Sequence, residues 1–238
     1  AALLAANGGE AAETAFEGPA GFLQAFTGNN DSAEAILVGL GENYRTLDVA
    51  FKPLPVPVNN MVACMTALEL GAEAKLDPKE IATVEIRTSQ SEATFAGAAA
   101  RGPFRHIGGT TMSTIYCVAL ALSQQQVTLE GLQLYDDPTI LSLVERSRLV
   151  PSDLPSRCCD LKVTTLDGRT LEKKLRHSDH DFAYGFDGVT RLMRSLAPEM
   201  VISATTLENL IDAVANIESC ERIGDIIEML VDSSGKPN

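Results

Sequence analysis

The chain has 238 residues, 45% of them hydrophobic, and a formal net charge of −13. Its hydrophobic share argues against global disorder, and its length allows one large domain or two small ones. The acidic balance argues against nucleic-acid binding, which needs a basic face to displace phosphate counterions, but it allows a local basic pocket for a small anion.

In chain order, residues 1–7 read as the end of a helix whose start lies upstream, stopped by Gly8 and Gly9. A turn follows at Glu17-Gly18-Pro19, and Phe16, Phe22 and Phe26 around it are expected to pack together. A short helix is predicted from Asp31 or Ser32 to Gly41, the usual left-handed terminator. Residues 46–52 alternate as a strand. Pro53, Pro55 and Pro57 then impose an extended segment, because each proline disfavours helix in the residue before it. Asn59 or Asn60 is the expected cap of the next helix, with Met61, Met65 and Leu68 on one face. Residues 81–88 read as a strand.

Farther along, Asp136-Asp137-Pro138 marks a helix start with proline at its first position, and residues 146–150 a further strand. Two alternating runs, 158–165 and 170–176, flank Asp167-Gly168, the strongest hairpin signal in the chain. From Phe186 the pattern is helical: a capping box at Thr205-Thr206-Leu207-Glu208 precedes a stripe of Leu207, Leu210, Ile211 and Val214, and Ile223, Ile226, Ile227 and Leu230 form a last helix. The five cysteines include no C-x-x-C and read as reduced thiols of a cytoplasmic protein. No apolar run approaches the roughly 18 residues of a membrane span.

The residues with chemical promise cluster at 101–122. Arg101, Arg105 and His106 crowd the glycine-rich turn Gly108-Gly109-Thr110-Thr111, which opens into an apolar helix, predicted over 111–123, containing Tyr116. A helix start offers unpaired N–H donors and partial positive charge, so a carboxylate or phosphate suits it. The bland alternative is a capped core helix with two solvated arginines. Lys52 ends the 46–52 strand just before the prolines, and is either a carboxylate and proton-transfer group aimed into a cleft or a solvated strand end. His177 and His180 have metal-pair spacing but no further ligand cluster, so a polar loop is the competing reading and no metal is assigned. Cys158 and Cys159 point to opposite faces of a strand.

Several pieces taken together resemble the MmgE/PrpD family of dehydratases, decarboxylases and epimerases. They are Glu17-Gly18-Pro19-Ala20-Gly21-Phe22, Phe51-Lys52-Pro53-Leu54-Pro55, Ala67-Leu68-Glu69-Leu70, Ile115-Tyr116-Cys117-Val118-Ala119 and Leu166-Asp167-Gly168-Arg169-Thr170. Their order runs along nearly the whole chain. The resemblance implies an α+β protein made of part of an all-helical domain (1–45), a smaller α+β lid domain with an antiparallel sheet (46–182), and C-terminal helices returning to the helical domain (183–238).

It further implies cofactor-independent proton transfer with elimination, decarboxylation or epimerisation on a small di- or tricarboxylate. Lys52 and Tyr116 would be catalytic, and Arg101, Arg105, His106, Gly108, Gly109, Thr110 and Thr111 would bind substrate. A homodimer, or a companion chain carrying the upstream helical half, would complete the cleft. The segment after Lys52 holds no histidine, where many family members have one. A non-catalytic relative acting as a binding or regulatory subunit is therefore the alternative.

Overall fold

A computed structural model describes residues 2–31 and 33–231. It divides into two compact units, one up to Val49 and one from Ala50 on, and the helices after residue 182 are grouped with the second. The first unit holds α1 (Ala2–Ala6) and α2 (Phe22–Thr27), joined to a 3-10 turn at Glu34–Leu37. The three phenylalanines pack as expected, with ring centroids 6.1 Å apart for Phe16–Phe22 and 4.6 Å for Phe22–Phe26. Leu23 is buried, yet all three rings stay exposed. Of the two residues expected to start the short helix, Ser32 lies outside the described residues.

The 46–52 strand does not form. A 3-10 turn occupies Arg45–Asp48, and among the described residues the extended segment after it joins no sheet; Phe51 N–H donates instead to Phe182 O at 2.8 Å. Alternation alone does not supply the neighbour a strand needs. The prolines then deliver the chain to α3 (Val58–Ala74), with Pro57 at the cap position. Asn60, predicted as a cap, is instead buried inside the helix.

The remaining elements build an α+β unit. They are β1 (Ile81–Ser89), α4 (Gln90–Ala93), α5 (Ile107–Met112), α6 (Thr114–Gln124), α7 (Pro138–Arg146), β2 (Ser147–Ser152), β3 (Cys158–Thr165) and β4 (Thr170–Arg176). Three helices close the described chain: α8 (Phe186–Leu196), α9 (Ala204–Ala215) and α10 (Ile223–Glu228). α9 starts at Ser203, whose hydroxyl accepts from Thr206 N–H, rather than at the predicted capping box. Glu208 forms instead a two-pronged pair with Arg194 at 2.7 and 2.6 Å. Among the described residues no helix is long and apolar enough to cross a membrane.

Among the described residues the strands form one four-stranded sheet in the order β2-β1-β3-β4. β1–β3 and β3–β4 are antiparallel, as expected, with Val84 opposite Val163 and Val163 opposite Leu171. β2 corrects the expectation: it pairs parallel to β1, with Ile86 opposite Leu149. The chain returns to that edge through the helical segment between β1 and β2, the long connection a parallel pair requires.

The 165–169 connection is tight. Gly168 adopts φ +86°, Thr165 N–H reaches Arg169 O at 2.9 Å, and Asp167 accepts from the Thr165 hydroxyl and from Arg169. These bonds hold the Asp167 carboxyl down at about 2.

One sheet face carries Ile81, Val84, Ile86, Leu161 and Val163 into the core, where α3, α6 and α7 pack. Residues 114–122 of α6 are all buried, so this helix is apolar all round and depends on tertiary cover rather than on an amphipathic stripe.

Candidate functional site

The basic turn is built from the inside out. The predicted single helix is broken in two at Ser113, which is buried, accepts from Tyr116 N–H at 3.0 Å, and donates to Ala100 O at 2.6 Å. Ser113 therefore caps α6. Asn60 braces the break: its amide donates to Thr111 O at 2.7 Å, and its carbonyl accepts from the Thr114 hydroxyl at 2.6 Å.

α5 is a six-residue turn in which Gly109 N–H, one of its first donors, is met by its own cap. His106 Nδ1 accepts from Gly109 N–H at 3.1 Å. The Thr111 hydroxyl donates back to Ile107 O at 2.8 Å. A Cβ at Gly108 or Gly109 would meet nothing nearer than 3.4 Å, so the backbone does not itself require glycine there. Arg105, His106 and Gly108 lie at the surface.

Arg101 has a different destination. Its guanidinium donates to the carbonyls of Val144, Glu145 and Ser147, at the C-terminal end of α7. A cation suits the unpaired carbonyls and negative dipole end of a helix. This arginine stitches α7 and β2 to the turn.

Tyr116 is fully buried and stacks edge-on against Phe104 at 5.0 Å. Its Oη lies 3.1 Å from Gly131 O and 3.0 Å from Leu134 O, the two acceptors available to its proton. Burial pushes the phenol well above its usual value, so it stays protonated. Thr110 reaches the same loop, its hydroxyl donating to Leu132 O at 2.6 Å. Tyr116 and Thr110 thus pin residues 131–134 from beneath.

That loop leads to Lys52. A groove of about 340 Å³ is lined by residues 52–55 with Leu129, Leu196, Glu199 and Met200. Lys52 and Glu199 are its ionisable lining residues, and the rest are prolines, leucines and a methionine. Lys52 is exposed and its Nζ donates to Val56 O at 3.3 Å. Glu199 accepts from Leu129 N–H at 3.0 Å, which closes one wall of the groove. No residue of the 101–111 turn lines it.

No family model and no curated protein matches the chain. The chemistry therefore rests on the side chains themselves. His177 and Asp181 approach to 3.8 Å, and Asp181 also accepts from Ser178 as part of a capping box, the polar-loop reading of this segment. Among the described residues no group of three or more histidine, cysteine, aspartate or glutamate side chains is placed to hold a metal ion.

The cysteines are all free thiols. Cys64, Cys117 and Cys159 are fully buried; a hydrogen bond between the Cys64 thiol and Cys117 that favours the protonated form, reinforced by burial, raises the Cys64 thiol, and burial pushes Cys159 up to about 12. Such thiols are unreactive as nucleophiles at neutral pH.

Sequence reasoning missed Glu199, which lies 147 residues beyond Lys52 and carries no local signal. It read Asn60 as a cap and missed its bracing role.

Proposed function

We propose that the Lys52 groove holds a carboxylate of a small di- or tricarboxylate in a lyase or isomerase of the MmgE/PrpD type. The observation that supports this reading is a lysine ammonium and a glutamate sharing a groove whose remaining walls are apolar. An ammonium next to a low-polarity wall neutralises a substrate carboxylate and stabilises the charge that develops when an adjacent C–H proton leaves. Glu199 is the base for that proton, and it returns the proton to the carbanion or to a leaving hydroxyl. Tyr116 and Thr110 act through the 131–134 loop as positioning residues, because that loop follows Leu129 on the groove wall.

In this reading the protein works as a homodimer or with a companion chain. The exposed Ile223 and Ile227 of α10, with Leu230 just after it, are an apolar surface that such a partner covers.

Incubation with citrate, 2-methylcitrate and cis-aconitate in D2O, followed by NMR, tests the chemistry. Exchange or turnover that is lost in Lys52→Ala and Glu199→Gln is expected. A chain that neither binds nor exchanges any of the three overturns the proposal.

A binding or regulatory subunit is the second reading. It is favoured by the engagement of Arg101 and Tyr116 with backbone carbonyls, which leaves fewer groups for chemistry. Tight binding of a tricarboxylate without exchange supports it.

A further inference from the structure

The outer face of the sheet, away from the helices, bears charge in rows fixed by the strand register. Arg148, Glu85, Lys162 and Glu172 lie side by side across β2, β1, β3 and β4. Adjacent strands are about 4.8 Å apart, so each charge neighbours the next. Glu85 lies between two cations and commits to one: both Nε (3.1 Å) and Nη2 of Arg148 donate to its carboxylate. Lys162 is left with a looser contact, 3.8 Å to Glu172 on its far side.

Beside this row is a hollow of about 460 Å³. Arg148 and Lys162 line it together with Arg101 and Arg146. The last two are held in place by backbone carbonyls, Arg101 at the end of α7 and Arg146 through Ile81 O at 2.7 Å. Carbonyl partners orient a guanidinium and offset part of its charge without cancelling it. The carboxylates lining the hollow are Glu85, already paired with Arg148, and Glu145. Thr83 and Thr164, opposite each other on β1 and β3, add hydroxyl donors. Four cations against two carboxylates in one concavity contrast with a net charge of −13 for the whole chain.

We propose that this hollow is a binding site for a small, multiply charged oxyanion, carrying phosphoryl or carboxylate groups, distinct from the Lys52 groove. Guanidiniums fixed by backbone carbonyls beside the sheet are preorganised for planar oxyanions, and the concave wall focuses their field. Lys162 supplies the mobile contact. Glu85 sets affinity by competing with the ligand for Arg148.

The test is a methyl-NMR titration of the full chain at low ionic strength with tripolyphosphate and, separately, citrate, following the Thr83 and Thr164 methyl signals. It is run in the Lys52→Ala background, so that loss of the Lys52 site does not affect the outcome. Saturable shifts are expected with at least one anion, and whichever binds tighter identifies the phosphoryl or carboxylate source. Lys162→Gln should weaken binding by about fivefold to tenfold, and Glu85→Gln should tighten it. The proposal is overturned if neither anion shifts these signals at millimolar concentration, or if affinity is the same in both variants.

Discussion

The 101–116 segment and the 52–55 segment both carry the residue types that bind carboxylates, and the fold uses them in opposite ways. In the first, Arg101, Thr110, Ser113 and Tyr116 turn inward onto backbone carbonyls, and Asn60 closes the break between α5 and α6. In the second, Lys52 remains in an open groove with one weak backbone contact. A cluster of polar residues at a glycine-rich turn is therefore a poor guide to a binding site when each donor has an acceptor within the fold. Buried polar groups must be satisfied, and here that requirement accounts for much of the cluster.

Substitutions in the two regions should therefore differ in what they cost. The largest loss is expected in the core beneath the basic turn: Leu120→Ala leaves a void in a fully buried helix and should cost about 2–5 kcal/mol in chemical denaturation. Asn60→Ala comes next, about 2–3 kcal/mol, because it removes the buried acceptor of the Thr114 hydroxyl and leaves the Thr111 carbonyl with only the weak Cys117 thiol as donor. Tyr116→Phe removes one buried donor from two carbonyls and should cost about 1–2 kcal/mol, while changing kcat or binding only through a loosened 131–134 loop. Lys52→Ala should leave stability within about 0.5 kcal/mol, the behaviour of a surface group that does not hold the fold. If Lys52→Ala unfolds the protein, or Asn60→Ala does not destabilise it, the two regions are not divided as described.

The smallest effect lies at the hairpin. Asp167 has a folded pKa of about 2, lowered first by the Thr165 hydroxyl and then by Arg169, below its ordinary value near 3.8. A depressed carboxyl stabilises the folded state above the ordinary value, and that contribution disappears as pH falls toward the folded one. Asp167→Asn should therefore lower the melting temperature slightly at pH 7 and leave it unchanged near pH 2. An equal change at both pH values would assign the effect to something other than charge.

Parts of this arrangement were legible in the residues. The hairpin strands fall at 158–165 and 170–176 as read, because alternation and Asp-Gly act locally. Asp137 caps α7 through Thr139 and Ile140 N–H as its Asp-Pro pair implies. The antiparallel β3–β4 pair followed from the same signals.

The parallel edge did not, since a strand read at residues 146–150 carries no signal for its direction. Nor did the break at Ser113, which depends on an acceptor at Ala100 in a preceding loop. Arg101 looked like a ligand because its carbonyl partners lie more than 40 residues away. Lys52 was singled out from its position and from resemblance, but the Glu199 that shares its groove comes from a distant turn.

The central claim, that a carboxylate ligand binds at Lys52 rather than at the basic turn, is tested most directly by citrate titration followed on the Leu129 and Met200 methyl signals. Wild type, Lys52→Ala and Arg105→Ala are compared. Saturable shifts are expected at both methyls, at least tenfold weaker in Lys52→Ala and nearly unchanged in Arg105→Ala. Shifts that survive Lys52→Ala and vanish in Arg105→Ala would contradict it.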